Sequence, residues 1–306
     1  MEPFPETPPL SAAPEGLLEG HLWLLEAVDG LPLRFQLQST GLLRFGDRTH
    51  TYDDPDELPA AYRAAVRHVR ASLDREALRA AVDDVEAVDF FGVATVRRAV
   101  PYDTDRTPPF LASDVWTAET GRFRPPDVAA GIFERLGFTP VSAIERELPA
   151  RDFSPDDYAA PPSAWYDGPA AGVVVRNKRG QRARLSTLEA VDSPSAASTP
   201  TDSRPAESTP VSATAESVPA GSTAESTSSR LTAESLAAVY VTDARIDTVT
   251  ADAADEPPLT VETITDRLVE RALRERYHAL GGADPAVDPA AFRSAIAALV
   301  QWRRSG

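Results

Sequence analysis

The chain has 306 residues, 42% of them hydrophobic, enough for one large folded domain or two modest ones with buried cores. Forty-seven acidic residues against 31 basic ones give a formal charge of -16 and a pI near 4.7, which ordinarily argues against a polyanionic partner, because phosphate binding depends on Lys and Arg. The chain has no cysteine, which excludes disulfides, thiolate metal sites and a cysteine nucleophile, and no window approaches the apolar length of a membrane span. An acid-rich composition with a single lysine, Lys178, fits a host that keeps molar salt inside the cell. At ~1 M salt the Debye length is roughly 3 Å, so net charge would then report solubility and not ligand choice. His21, His50, His68 and His278 show no zinc spacing and read as surface or boundary residues.

Residues 1–14 are acidic and proline-rich, without the basic region and apolar core of a secretory signal, so a disordered N-terminus and a cytoplasmic location are expected. From 15 to 190, strand-like alternation interleaves with short amphipathic helices, the pattern of an α+β domain. Leu22–Leu25 reads as a strand, followed by Glu26-Ala27-Val28-Asp29-Gly30 and then two further strand-like runs, Leu33–Leu37 and Leu42–Phe45. Pro59–Leu73 reads as a helix, with Tyr62, Val66, Val69 and Leu73 at helical spacing. Val85–Val96 reads as a strand containing Phe90-Phe91-Gly92. Asp127–Leu136 reads as a short helix ended by Gly137. Gly172–Arg176 and Arg182–Leu185 pair as a hairpin across Arg179-Gly180, where glycine supplies the turn conformation.

Residues 191–231 are dominated by Ser, Thr, Pro, Ala and Glu and are expected to be a disordered linker, because they cannot bury enough surface to offset chain entropy. Ala-Glu-Ser recurs at 206–208, 215–217, 224–226 and, just past the segment, 233–235, always nine residues apart. In-frame duplication of a tolerated loop explains such copies, which carry almost no apolar position to stack on. The last copy runs directly into Leu236-Ala237-Ala238-Val239-Tyr240, so the duplication fits an origin at the start of a real helix. Residues 232–306 read as a small helical C-terminal domain, standing alone or packed on the first. Ile264, Leu268, Leu273, Tyr277 and Leu280 share one helical face before Gly281-Gly282, and a final helix opening at Asp288-Pro289 carries Phe292, Ile296, Leu299 and Val300.

The segments between Leu22 and Leu185 resemble, in order, the motifs of covalent nucleotidyltransferases: ATP-dependent RNA ligases, DNA ligases and RNA capping enzymes. Glu26–Gly30 is similar to their Lys-x-Asp-Gly motif, whose lysine attacks the nucleotide α-phosphate, but Ala27 stands at the lysine position. Phe45-Gly46-Asp47-Arg48 resembles their Phe-Gly-Ser-Arg segment, with Arg48 following Ala27 by 21 positions. Phe91-Gly92-Val93 resembles Phe-Gly-Glu with the sugar-contacting carboxylate replaced. Phe110-Leu111-Ala112-Ser113-Asp114-Val115 resembles the aromatic-Asp segment. Ala171-Gly172-Val173-Val174 resembles Glu-Gly-Val-Val without its metal-holding glutamate, and Arg182-Ala183-Arg184 stands where Lys-x-Lys binds the α-phosphate. Arginine keeps that charge but spreads it over a planar fork.

The resemblance implies an RNA-ligase-like adenylation domain with antiparallel sheets, followed by the helical domain. It implies nucleotide or phosphate binding by Asp29, Gly30, Arg48, Phe91, Arg182 and Arg184, and nucleic-acid binding by Arg176, Lys178 and Arg179. No catalytic residue is expected, since Ala27, Val93 and Ala171 can neither attack, coordinate nor transfer protons. The leading expectation is a catalytically degenerate protein that binds a nucleotide or RNA end as the partner of an active ligase or repair complex; the C-terminal helices are a candidate surface for a partner protein. One alternative is an active ligase with displaced chemistry, which would use ATP and Mg²⁺; otherwise no cofactor or metal is expected. The other is a structural protein acting through those helices. Taken singly the segments have plainer readings: Asp29-Gly30 as a hairpin turn, the arginines as a solvated outer face, and Trp23, Trp116 and Trp165 as core residues in place of stacking platforms.

Overall fold

The computed structural model describes residues 1–54, 57–187, 232–252, 259–282 and 284–305. The expected linker, 191–231, lies outside the described residues, as do all but the last of its repeat copies. The described residues on either side of it fold as one compact unit.

The strands are β1 (His21–Glu26), β2 (Leu31–Leu37), β3 (Leu43–Gly46), β4 (Thr51–Tyr52), β5 (Val88–Ala94), β6 (Phe110–Thr117), β7 (Arg122–Phe123), β8 (Ala143–Pro149), β9 (Gly172–Asn177) and β10 (Arg182–Ser186). They build two antiparallel sheets, a four-stranded one in the order β10-β9-β1-β8 and a six-stranded one in the order β4-β3-β2-β5-β6-β7. The fold class is therefore α+β with antiparallel sheets. The 172–185 hairpin forms with Gly180 at φ 87°, in the region glycine favours.

Residues alternate across each strand, and alternation decides what each face buries. In the larger sheet, Leu33, Phe35, Leu37, Val88, Phe90, Phe110 and Val115 point to one side. There they pack on α1 (Arg63–Ser72), α2 (Arg75–Ala81) and α3 (Pro126–Arg135) through Val66, Val69, Leu78 and Phe133. Phe35 stacks on Phe90 at 5.0 Å and meets Phe110 edge-on at 5.7 Å. In the smaller sheet, Leu22, Leu24, Val173, Val175 and Ala183 bury a separate cluster with Leu17 and Phe153. The opposite faces of the two sheets confront each other.

Glu26–Gly30 is not a hairpin turn. β1 pairs with β8 and β9, whereas β2 pairs with β3 and β5, so this segment carries the chain from one sheet to the other. A Cβ on Gly30 would lie 2.4 Å from Val93 Cγ1 and 2.6 Å from the Ala94 carbonyl oxygen. The glycine is required for close approach to β5.

Residues 1–14, expected to be disordered, are ordered across the two sheets. The Glu2 N–H donates to Asp89 at 2.6 Å and Arg34 donates to the Glu2 carbonyl at 2.6 Å. Phe4 meets Phe91 edge-on at 5.2 Å, and the Arg184 N–H donates to the Pro8 carbonyl at 2.8 Å. β10 is an edge strand, and a proline-rich partner suits it, since proline supplies a carbonyl without needing to donate.

The C-terminal helices are α4 (Ala233–Tyr240), α5 (Asp243–Asp252), α6 (Val261–Glu275), α7 (Tyr277–Leu280) and α8 (Pro289–Ser305). They share a core of Leu236, Tyr240, Ile264, Leu268, Leu273, Phe292, Ile296 and Val300. The last repeat copy does open a helix: Thr232 and Ser235 form a reciprocal capping box at the start of α4. α6 ties to the β5–β6 connection through Arg274, which donates to the Thr95 and Thr107 carbonyls at 3.1 and 2.7 Å, and to α1 through Arg67–Glu270 at 2.7 Å. No helix among the described residues is long and apolar enough to cross a membrane.

Candidate functional site

A cleft of about 350 Å³ opens between the facing sheets. Its walls include Ala27, Asp29 and Gly30 from the β1–β2 crossing, Arg48 from the β3–β4 connection, and Gly92 and Val93 from β5. Asp114 from β6, Val174 and Arg176 from β9, and Arg182 and Arg184 from β10 complete them. Segments far apart in the chain thus converge in one place.

At the crossing, the Ala27 N–H donates to the Gly172 carbonyl at 3.0 Å, and the residue is 3% exposed. Val93 packs against Gly30, and Ala27 lines the same wall, so this end of the cleft is apolar. Ala171 does not line the cleft; it is fully buried behind it with Val100 and Tyr102. Phe91 is likewise fully buried, between Phe4 and Phe123 at 5.2 and 5.3 Å.

Glu26, Asp29 and Asp114 are the carboxylates on the cleft wall, and each is committed. Glu26 accepts from the Ser163 hydroxyl at 2.5 Å and the Ala164 N–H at 3.0 Å. Burial nonetheless raises its pKa against those bonds. Asp29 accepts from the Ala99 and Val100 N–H groups at 2.7 and 3.3 Å and lies 3.5 Å from Arg98, fixing the loop after β5. Asp114 sits 2.8 Å from Arg176 and 2.9 Å from Arg182. Burial pushes its pKa up, but the two guanidinium groups outweigh that and hold it below the ordinary value. The same burial pulls Arg176 down to about 10. This Arg-Asp-Arg cluster joins the two sheets, because Asp114 projects from the larger and both arginines from the smaller.

The expected arginines therefore divide. Arg182 is 5% exposed, with its guanidinium 5.0 Å from the Phe123 ring centroid. Its Nη2 and the Nε of Arg184 are buried donors with no hydrogen-bond partner among the described residues. Arg48 and Arg98 are exposed members of the same wall. Arg176, expected at a nucleic-acid surface, is 1% exposed and donates to the Ser113 and Arg124 carbonyls at 3.3 Å each. Lys178 and Arg179 lie outside the cleft, paired with Glu147 at 2.7 Å and Glu19 at 2.9 Å. Trp23, Trp116 and Trp165 do not line it either. The aromatic ring that does is Phe4, with the Arg48 guanidinium 5.9 Å from its centroid. Composition hid that residue inside a proline-rich terminus.

No family model matches the chain, and no curated protein matches it in sequence. Among solved structures it is similar to ATP-dependent RNA ligases, the class its motifs resemble. The Naegleria gruberi RNA ligase with PPi gives a TM-score of 0.46 at 12% identity, over 61% of this chain and 56% of that one. A mutant of the same ligase with ATP and Mn gives 0.47 at 11% identity, over 61% and 56%. An archaeal ATP-dependent RNA ligase gives 0.43 at 16% identity, over 61% and 48%. The chain spans about half the length of the RNA ligases it matches.

Proposed function

We propose that the cleft binds a nucleotide or the phosphorylated end of an RNA, without a covalent intermediate. The observation that carries this reading is the pair of buried, unpartnered donors on Arg182 and Arg184. A buried donor left unsatisfied costs about 1–3 kcal/mol, and a phosphate oxygen would relieve both with charge-assisted bonds. Arg48 and Arg98 add positive charge on the same wall, and Phe4 offers a ring face to a base.

Covalent transfer is not part of the proposal. The Ala27 methyl has no lone pair, and Lys178, the chain's single lysine, is outside the cleft. The donor set does not fit a divalent metal either, since magnesium is held through oxygen ligands. All the carboxylates on the wall are already engaged, and the described residues hold no cluster of metal-ligating side chains.

Thermal unfolding in molar KCl, with and without ATP, GTP and a 5'-phosphorylated RNA, tests the proposal. A ligand at ~100 times its Kd adds about 2.7 kcal/mol, read as a rise in Tm; no rise with any of them removes the reading. Incubation with α-labelled ATP and Mg²⁺ or Mn²⁺ should leave the protein unlabelled, and a labelled adduct would restore the active-enzyme alternative. The exposed Trp302 on α8, at 72%, and Val239 on α4, at 54%, favour a second reading in which the helices hold a partner. That version gives no nucleotide-dependent rise in Tm.

A further inference from the structure

We infer that a second, basic groove outside the cleft holds the phosphate backbone of a single-stranded polynucleotide whose end enters the cleft past Phe123. The entering end rests on the proposed function of the cleft; the groove stands on its own residues.

The groove lies between β7 with its flanking turns and the β9–β10 turn. Arg122 and Arg124 line it on one side and Lys178 and Arg179 on the other, and no carboxylate is among its lining residues. In a chain of charge -16 that is a local reversal of sign. Among the described residues Arg122 and Arg124 have no ion-pair partner. The pairs Lys178–Glu147 and Arg179–Glu19 are about half exposed or more on both sides. Exposed pairs of that kind contribute little and are screened by salt, so a polyanion can compete for both cations. Such a row of cations fits a chain of phosphates better than a single anion. Gly121 at φ 59° and Gly180 at φ 87° have nothing within 4 Å of where a Cβ would stand, so the groove wall is open where a backbone would pass.

Phe123 connects the groove to the cleft. Its ring lines the groove, packs edge-on against Phe91 and lies under the Arg182 guanidinium, which lines the cleft. A strand in the groove therefore approaches the unpartnered Arg182 donor with only that ring between, and a base has an aromatic edge to meet there.

The test is fluorescence anisotropy with a labelled 5'-phosphorylated RNA of about ten nucleotides, from ~0.15 M to ~1 M KCl, using the full chain and R122A/R124A. The double variant should fold, because Arg124 is held through its backbone, its N–H donating to the Val115 carbonyl and its carbonyl accepting from Arg176, and its thermal melt checks this. The expected result is RNA binding weakened about tenfold or more, with a shallower salt slope, while the ATP-induced rise in Tm is unchanged. Equal RNA affinity in the double variant overturns the inference, as does equal competition by polyglutamate. If ATP raises Tm but RNA never binds, the groove inference alone falls; if neither binds, the reading of the cleft falls with it. DNA of the same sequence, run alongside, shows whether the 2'-hydroxyl contributes.

Discussion

The two ends of the cleft are built in opposite ways. At the β1–β2 crossing, Gly30 packs on Val93 and Ala27 lines the wall beside them, an apolar surface with no unpartnered polar side chain among the described residues. At the β9–β10 end, Arg176, Asp114 and Arg182 form a buried cluster with donors left over. Burying charge is costly unless it is paired, so the second arrangement persists at a price in stability that the first does not carry. The difference is one of chemistry: one end is apolar, the other carries charge and spare donors. On the function proposed above, the charged end would hold a phosphate, and the apolar end offers no group that could attack one.

Asp114→Asn should break the charged end most severely. It leaves Arg176 and Arg182, 1% and 5% exposed, as uncompensated buried cations, and removing one partner of a buried pair costs about 3–5 kcal/mol. Denaturant unfolding checks this; a loss below ~1 kcal/mol would mean that water already solvates the cluster. The apolar end should break by a smaller amount. Gly30→Ala places a methyl 2.4 Å from Val93 Cγ1 and 2.6 Å from the Ala94 oxygen, and overpacking costs about 1–3 kcal/mol. Adding Val93→Ala should recover only part of that, because the backbone oxygen remains; full recovery would show that the side chain alone sets the spacing. Smaller again is Phe4→Ala, measured as ATP affinity. Loss of one ring face should weaken binding by about 0.5–1.5 kcal/mol, whereas tighter binding would show that residues 1–9 plug the cleft in place of walling it.

Much of this architecture was legible in the sequence, and the failures have physical causes. The apolar runs Leu22–Leu25 and Leu33–Leu37 mark β1 and β2, and alternation tells which residues share a face. Alternation does not name a strand's partner, so the division into two sheets was hidden and Asp29-Gly30 could pass for a hairpin. β8 was missed because Glu145-Arg146-Glu147 is exposed on an edge strand and carries no apolar signal. α2 holds seven residues with one buried, Leu78, too short an apolar stripe to mark a helix in the sequence. In the site, the register that sets Arg176 opposite Arg182 turns both toward the cleft. Their shared partner, Asp114, lies in the other sheet, and nothing local in the sequence connects it to them.

The smallest expected effect concerns Glu26, at the junction between the two ends. Its carboxyl is buried beside Ala27 and its folded pKa is raised above the ordinary 4.5 by desolvation. Between the unfolded and folded values the native state binds more protons than the unfolded chain, so stability falls as pH rises through that window. The contribution is fully present below about 4.5 and is lost once pH passes the folded value. Glu26→Gln stays neutral throughout and can keep its contacts with Ser163 and the Ala164 N–H. The variant should therefore gain on the wild type as pH rises from about 4.5 toward neutral, with the difference flat above the folded pKa. Paired unfolding curves across that range check the sign. A difference independent of pH would show that Glu26 ionises as freely as in the unfolded chain, and that the crossing between the sheets is wetter than its packing implies.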